Sequence, residues 1–196
     1  MNFLAHSHLS GDNDDLLFGN FIADAVKGKS HNGYAGDIRE GILLHRKIDT
    51  FTDTHAIFRQ SLQRIRSHFG KFAGIVVDIY YDHFLAHNWT QYSDHPLPEY
   101  AEHVYSILQS RYELLPPRTK RLLPYLTSQN WLVGYANLNG LNAVFHGMDR
   151  RTGLRSGMSK AVPVLMEHYE GLKADFSAFY PLLEQYTESE IDGLGG

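Results

Sequence analysis

The sequence lacks features that mark several common classes of protein. Its 196 residues include no cysteine, which excludes disulfides, thiolate zinc sites and cysteine nucleophiles. No apolar run approaches the roughly 18 residues of a membrane helix, and the first residues do not resemble a signal peptide. The GxxxxGK[ST] phosphate loop is also absent. We therefore expect a soluble, cytoplasmic protein with no organic cofactor and no membrane partner.

The spacing of apolar residues is helical along most of the chain. In "HAIFRQSLQRIRSHFG" apolar residues recur every three or four positions, and Gly70 follows where a helix would end. Pro163 and Pro181 predict helix starts or kinks in the C-terminal part. No alternating run typical of a strand occurs. The sequence predicts an all-α fold with a single domain over residues 1–196, frayed over residues 190–196.

Basic residues are concentrated in one stretch of an acidic chain. Residues 114–164 contain seven Lys or Arg and one Asp, a net charge of +6, within a chain of net charge −4. Such a stretch either forms a docking surface for an anionic partner or disperses over the folded surface. The candidate docking residues are Arg118, Lys120, Arg121, Arg150, Arg151 and Arg155.

Three ionisable residues recur at intervals of four in "GILLHRKIDTFTDTH". A helix from about Asp37 to Phe51 would project His45 and Asp49 together, one turn apart, as two groups that can bind one ion. Asp53 suits the N-cap of the next helix better than a role as a ligand.

Other ionisable groups lie within apolar segments. Asp78 and Asp82 are four residues apart in "IVVDIYYDHFLAHNW", Asp24 interrupts "GNFIADAVKG", and His6 lies in "FLAHSHL". A buried carboxylate needs a cation or several hydrogen-bond donors. His83, paired with a second histidine one turn later, is by itself typical of a hydrogen-bonded or partly exposed histidine.

A carboxylate and imidazole set without thiolate favours manganese, iron or magnesium, with zinc also compatible. Two carboxylate pairs also permit two ions. Such ions serve phosphoester hydrolysis, because they polarise a phosphoryl oxygen and acidify water.

Four motifs in this order resemble the acyl carrier protein phosphodiesterase family: "MNFLAHSHL", "GNFIADAVKG", "GILLHRKIDTFTDTH" and "DIYYDHFLAHNW". The resemblance implies an all-helical domain that is a divergent relative of the HD phosphohydrolases, although no His is followed directly by Asp in this chain. It also implies Mn²⁺-dependent removal of 4'-phosphopantetheine from holo acyl carrier protein, with Mg²⁺ or Fe²⁺ as alternative ions. The metal residues it implies are His6, Asp24, His45, Asp49, Asp78 and Asp82.

For the catalytic residues, the resemblance implies Asp24, His45 and His83, with either histidine as proton donor where it does not bind metal. Because acyl carrier proteins are strongly acidic, the basic stretch would attract that partner, an effect that salt weakens.

Two other functions fit the same residues. An HD-type phosphohydrolase acting on a nucleotide or other small phosphoester would use the same metal site. A non-catalytic helical module binding an acidic partner would instead need arginine partners for its buried carboxylates. Aromatic residues fall at helix-core spacing, which disfavours a nucleic-acid platform. The sequence does not indicate an oligomeric state.

Overall fold

Helices make up the regular structure of residues 2–195, the part of the chain that the computed structural model describes. Short 3-10 turns join several helices, and no β-strand occurs within these residues. The prediction of an all-α fold is confirmed. The α-helices are α1 (Phe3–His8), α2 (Asp14–Ile22), α3 (Gly36–Thr54), α4 (Ala56–Phe69), α5 (Ala73–His87), α6 (Leu97–Ser110), α7 (Pro117–Ser128), α8 (Trp131–Gly134), α9 (Leu138–Arg151), α10 (Ala161–Glu167) and α11 (Tyr169–Asp192).

Helix α4 follows the apolar pattern of its sequence. Phe58, Ile65 and Phe69 are buried on one face, and the helix ends at Gly70, whose φ of 53° suits glycine. Among the described helices, none is both long and apolar enough to cross a membrane.

The boundary between α3 and α4 differs from the sequence prediction. The α3 helix continues to Thr54, and His55 caps α4 with a ring nitrogen that accepts the Ile57 N–H at 3.3 Å. Asp53 therefore lies inside α3, and its prediction as the N-cap of α4 is wrong. A histidine in the capping position is less common than an aspartate, which is why the sequence favoured Asp53.

The C-terminal helix α11 is longer than the sequence indicates. It runs through Pro181 to Asp192, so helix continues into the part expected to fray from residue 190. Residue 196 lies outside the described residues.

Helix α5 is buried around most of its circumference, as its apolar sequence predicts. Val76, Tyr80 and Phe84 are fully buried. Asp82, also fully buried, accepts backbone N–H groups of Leu4 at 2.8 Å and Ala5 at 3.2 Å. These amides belong to the first turn of α1, where free N–H groups need acceptors. Asp82 therefore caps α1 from a distant part of the chain.

Helices α2 and α3 approach each other backbone to backbone at two glycines. A Cβ atom built on Gly41 would overlap the carbonyl oxygen of Leu16, and one built on Gly19 would overlap that of Ile38. Since His45 lies one turn after Gly41, this approach brings its side chain against α2. The two glycines thereby position the candidate site.

Candidate metal centre

Three side chains from α1 and α3 form the centre of the candidate site. Nε2 of His45 lies 3.2 Å from Oδ2 of Asp49, one helical turn later, and Nε2 of His6 lies 3.3 Å from Oδ1 of the same carboxylate. The two imidazole rings stack with centroids 3.9 Å apart. Both histidine side chains are more than nine-tenths buried, whereas the Asp49 side chain is 44% exposed. The structure therefore brings His6, His45 and Asp49 together.

The amide of Asn20, on α2, orients both rings. Its Oδ1 lies 2.8 Å from Nδ1 of His6, and its backbone oxygen lies 2.9 Å from Nδ1 of His45. Its Nδ2 donates to the His6 carbonyl at 2.8 Å and to Ser10 Oγ at 3.0 Å, which fixes the orientation of the amide. Because carbonyl oxygens only accept, both rings carry hydrogen on Nδ1. In the neutral rings each Nε2 lone pair then faces Asp49, the arrangement that metal ligation requires.

Replacing Asn20 with Leu removes the side-chain acceptor of His6 while keeping a similar volume. His45 retains its bond to the backbone of residue 20, so the loss falls mainly on His6. We expect Mn²⁺ affinity to weaken about 10- to 100-fold, the usual cost of losing such a supporting bond. Isothermal titration calorimetry measures this. Ser10→Ala is the milder comparison, because the His6 carbonyl still accepts from Nδ2 of Asn20 when Ser10 Oγ is lost. Affinity within twofold of the unsubstituted protein would contradict the orienting role.

The charges of the cluster are strongly coupled. Burial alone would lower the pKa of His45, but Asp24 and Asp49 raise it to about 9. Burial and the charge of His45 lower the pKa of His6 to about 4. Burial alone would raise the pKa of Asp49, but the two neighbouring histidines hold the pKa of that carboxyl well below its usual range. At neutral pH, His45 thus carries a proton that a bound cation would displace.

The donor set fits a divalent cation. The ligand atoms of His6, His45 and Asp49 lie within 4.8 Å of one another. Nε2 of His6 is buried and forms no hydrogen bond with any residue of the described chain, which is costly for a polar atom. Two imidazoles and a carboxylate without thiolate suit Mn²⁺, Fe²⁺ or Zn²⁺, and Mg²⁺ where more oxygen ligands come from substrate.

Asp24 lies beside this cluster but is not buried, contrary to the expectation from its apolar neighbours. It occupies a 3-10 turn after α2, its side chain is 65% exposed, and its Oδ1 lies 3.5 Å from Nε2 of His45. The bond to His45 lowers the pKa of Asp24. Asp24 is therefore a charged side chain that faces solvent next to the cluster.

A cavity of about 370 Å³ opens beside the cluster. Asp24, His45 and Asp49 line it together with two further carboxylates, Asp53 and Asp78. Asp78 is half-buried, and burial raises its pKa. The sequence predicted Asp53 to be a helix cap because the expected helix ended near Phe51. In the structure α3 continues to Thr54, which places Asp53 on the same helix as His45 and Asp49. Other lining residues come from α7, α8 and α9 and include Arg118, Thr119, Leu122, Trp131, Val144, Met148 and Arg151.

Two of the predicted site residues face other parts of the protein. The carboxylate of Asp82 is occupied by the amides of α1, and burial raises its pKa to about 7. Nδ1 of His83 donates to the carbonyl oxygen of Tyr135 at 2.7 Å. Neither residue lines the cavity, so we leave both out of the site proposed below. His83 instead supports Tyr135, which does line it.

The basic residues divide in space. A second groove, of about 500 Å³, is lined by Arg118, Arg121, Arg150 and Arg151. The other two candidates have local partners: Nζ of Lys120 lies 3.3 Å from Oε2 of Glu113, and Nε of Arg155 donates to the Thr152 carbonyl at 3.0 Å. Residues distant in sequence thus form a compact basic surface.

Comparison with known proteins gives a consistent result. The sequence model of the family described as acyl carrier protein phosphodiesterase matches residues 1–183. A protein named acyl carrier protein phosphodiesterase from Photorhabdus laumondii is 35% identical over 97% of this chain and 96% of its own length. Proteins of the same name from Yersinia enterocolitica and from Enterobacter sp. strain 638 are 34% and 35% identical, over 97% and 92% of this chain and 100% and 94% of their own lengths. No solved structure matches the chain, so its relation to the HD phosphohydrolases stays a prediction. The chain belongs to the acyl carrier protein phosphodiesterase family.

Proposed function

We propose that this protein is a metal-dependent phosphodiesterase that removes 4'-phosphopantetheine from holo acyl carrier protein and releases the apo form. The observation that carries the proposal is the cluster of His6, His45 and Asp49 beside a cavity that His45 and Asp49 line, in a chain of this family. These three residues hold the ion, and Asp24 lies next to them. Mn²⁺ is the ion we propose, with Mg²⁺ and Fe²⁺ as alternatives.

When bound, a divalent ion supplies positive charge to phosphoryl oxygens and increases the acidity of water. Asn20 keeps the two imidazoles in the tautomer that such binding needs. His6 lies buried behind the cavity and His45 lies in its wall, so the two rings close the inner side of the cluster to water. The protein's own part in this chemistry is therefore to hold charges in fixed positions before the substrate arrives.

In the reaction, a water oxygen forms a bond to phosphorus while the bond from phosphorus to the serine oxygen of the carrier breaks. Asp24 is ionised and exposed to the cavity, so it can accept a proton from the water and deliver it to the departing serine oxygen. The products are apo acyl carrier protein and 4'-phosphopantetheine. Asp78 and Asp53 line the same cavity and are candidates for contacts to water.

The basic groove between α7 and α9 is the proposed docking surface for the carrier protein. Its four arginines line the groove together with Tyr125 and Trp131, a combination of positive charge and aromatic surface suited to an acidic protein. The groove shares Arg118, Leu122, Trp131 and Arg151 with the cavity, so a carrier bound there would present its modified serine close to the metal residues. This continuity favours a protein substrate over a small phosphoester.

The test is intact-mass spectrometry of holo acyl carrier protein incubated with the purified protein. We expect conversion to the apo mass with Mn²⁺ and none with a chelator. A parallel assay with a small phosphodiester measures the alternative activity. Conversion of the small ester alone would replace the carrier with a small substrate, and binding of the carrier without conversion of either would indicate a non-catalytic module.

A further inference from the structure

The four arginines of the basic groove do not occupy equivalent positions. All four line the groove, but only Arg118 and Arg151 also line the cavity that holds the metal residues. Arg121 follows Arg118 by one turn of α7, and Arg150 directly precedes Arg151 on α9. Helices α7 and α9 therefore each supply one arginine that lines both the cavity and the groove and one that lines only the groove.

The two arginines of the cavity are not paired with acids. Within residues 2–195, no carboxylate lies within 4 Å of either guanidinium. The guanidinium of Arg151 lies over the Trp131 ring, 5.8 Å from its centroid, and its Nε is 3.4 Å from the Gly147 carbonyl. Partial burial of the guanidinium and the nearby charge of Arg118 lower the pKa of Arg151. Two positive charges are thus held near each other without an internal counterion.

The cavity wall therefore carries charges of both signs, supplied by different helices. Its carboxylates, Asp24, Asp49, Asp53 and Asp78, come from the turn after α2 and from α3 and α5, whereas the two arginines come from α7 and α9. A phosphodiester carries one negative charge shared by two non-bridging oxygens, which can face a cation and guanidinium groups at the same time. Neutral or cationic ligands would leave the arginines without a partner.

We infer that Arg118 and Arg151 bind the phosphoryl oxygens of the substrate, whereas Arg121 and Arg150 contact only the docked carrier. This inference rests on the proposed function and assigns separate tasks within one basic surface. Guanidinium groups placed against the phosphoryl oxygens stabilise the charge of the transition state more than that of the bound ester. Their loss should therefore reduce the rate at saturating carrier, and not only the affinity for it.

The experiment compares four single variants of the full chain: Arg118→Gln and Arg151→Gln, with Arg121→Gln and Arg150→Gln as matched controls on the same helices. Initial rates with holo acyl carrier protein and Mn²⁺ separate kcat from KM. Calorimetric titration of the Mn²⁺-loaded protein with inorganic phosphate measures anion binding without turnover. We expect the first pair to lower kcat about 10- to 100-fold and to weaken phosphate binding about tenfold or more. The control pair should raise KM and leave phosphate affinity unchanged.

Equal changes of KM in all four variants, with unchanged phosphate affinity, would overturn the inference. The phosphate titration tests this inference independently of the proposed function. If the unsubstituted protein does not convert the carrier, the proposed function fails, while the titration still decides whether Arg118 and Arg151 form an anion site. All four side chains are exposed, so thermal unfolding curves should coincide and exclude misfolding as the cause.

Discussion

Replacing Asp49 with Ala is expected to abolish most turnover of the carrier and to remove the bound metal at the same time. Asp49 is the carboxylate shared by His6 and His45, at 3.3 and 3.2 Å. Charge stabilisation by a catalytic ion contributes several kcal/mol to the transition state, and a loss of about 4 kcal/mol corresponds to about 1,000-fold in rate. Initial rates and metal content by mass spectrometry measure the two effects on one preparation.

Asp53→Ala is the matched control for this variant. Asp53 lies one turn further along α3 and lines the same cavity, but it is not part of the cluster of ligand atoms. We expect it to retain the metal and to lose less than about tenfold in rate. An Asp49→Ala protein that keeps its metal and its rate would exclude Asp49 as a ligand. Equal losses in both variants would mean that negative charge in the cavity matters more than a specific ligand.

Replacing Gly41 with Ala is expected to destabilise the protein strongly, although alanine is the better helix former. The added methyl group would overlap the Leu16 carbonyl oxygen, and a backbone atom cannot move away as a flexible side chain can. The gain of about 1 kcal/mol from helix propensity is then exceeded by overpacking, which costs typically 1–3 kcal/mol and more where two helices must separate. We expect a net loss of about 2 kcal/mol or more in chemical denaturation.

Gly74→Ala provides the comparison on α5, because a Cβ atom there meets nothing within 4 Å. This variant should be as stable as the unsubstituted protein or more stable by up to about 1 kcal/mol. The Gly41→Ala protein should also bind Mn²⁺ more weakly, since moving α3 away from α2 separates His45 from Asn20. A Gly41→Ala protein with unchanged stability would show that the two helices tolerate a wider separation.

The helical fold and the pairing of two candidate site residues can be predicted directly from the spacing of residues in the sequence. His45 and Asp49 are four residues apart on a long amphipathic helix, and such a pair lies on one face wherever the helix packs. The position of the cavity on that face follows from packing against α2. The local sequence also predicts that α4 ends at Gly70, because a glycine with positive φ terminates a helix without help from distant residues.

The same spacing does not decide the roles of Asp78 and Asp82. These residues are also four apart, on α5, yet Asp78 lines the cavity and Asp82 caps α1. Both lie on a helix that is buried almost all round, so its apolar pattern does not indicate which neighbour each carboxylate meets. That depends on contacts between segments nearly 80 residues apart. The role of Asn20 is equally invisible in sequence, where it is only a polar residue between Phe18 and Phe21 near the end of α2.

The capping of α1 by Asp82 links the occupancy of the metal centre to local folding. A six-residue helix is too short to persist alone in water, so α1 holds His6 in place only while it is docked on α5. Anything that binds the docked form and not the detached one stabilises docking by mass action. In the proposed metal centre, α1 and a bound ion would therefore stabilise each other, and removal of the ion would lower the free energy needed to detach α1.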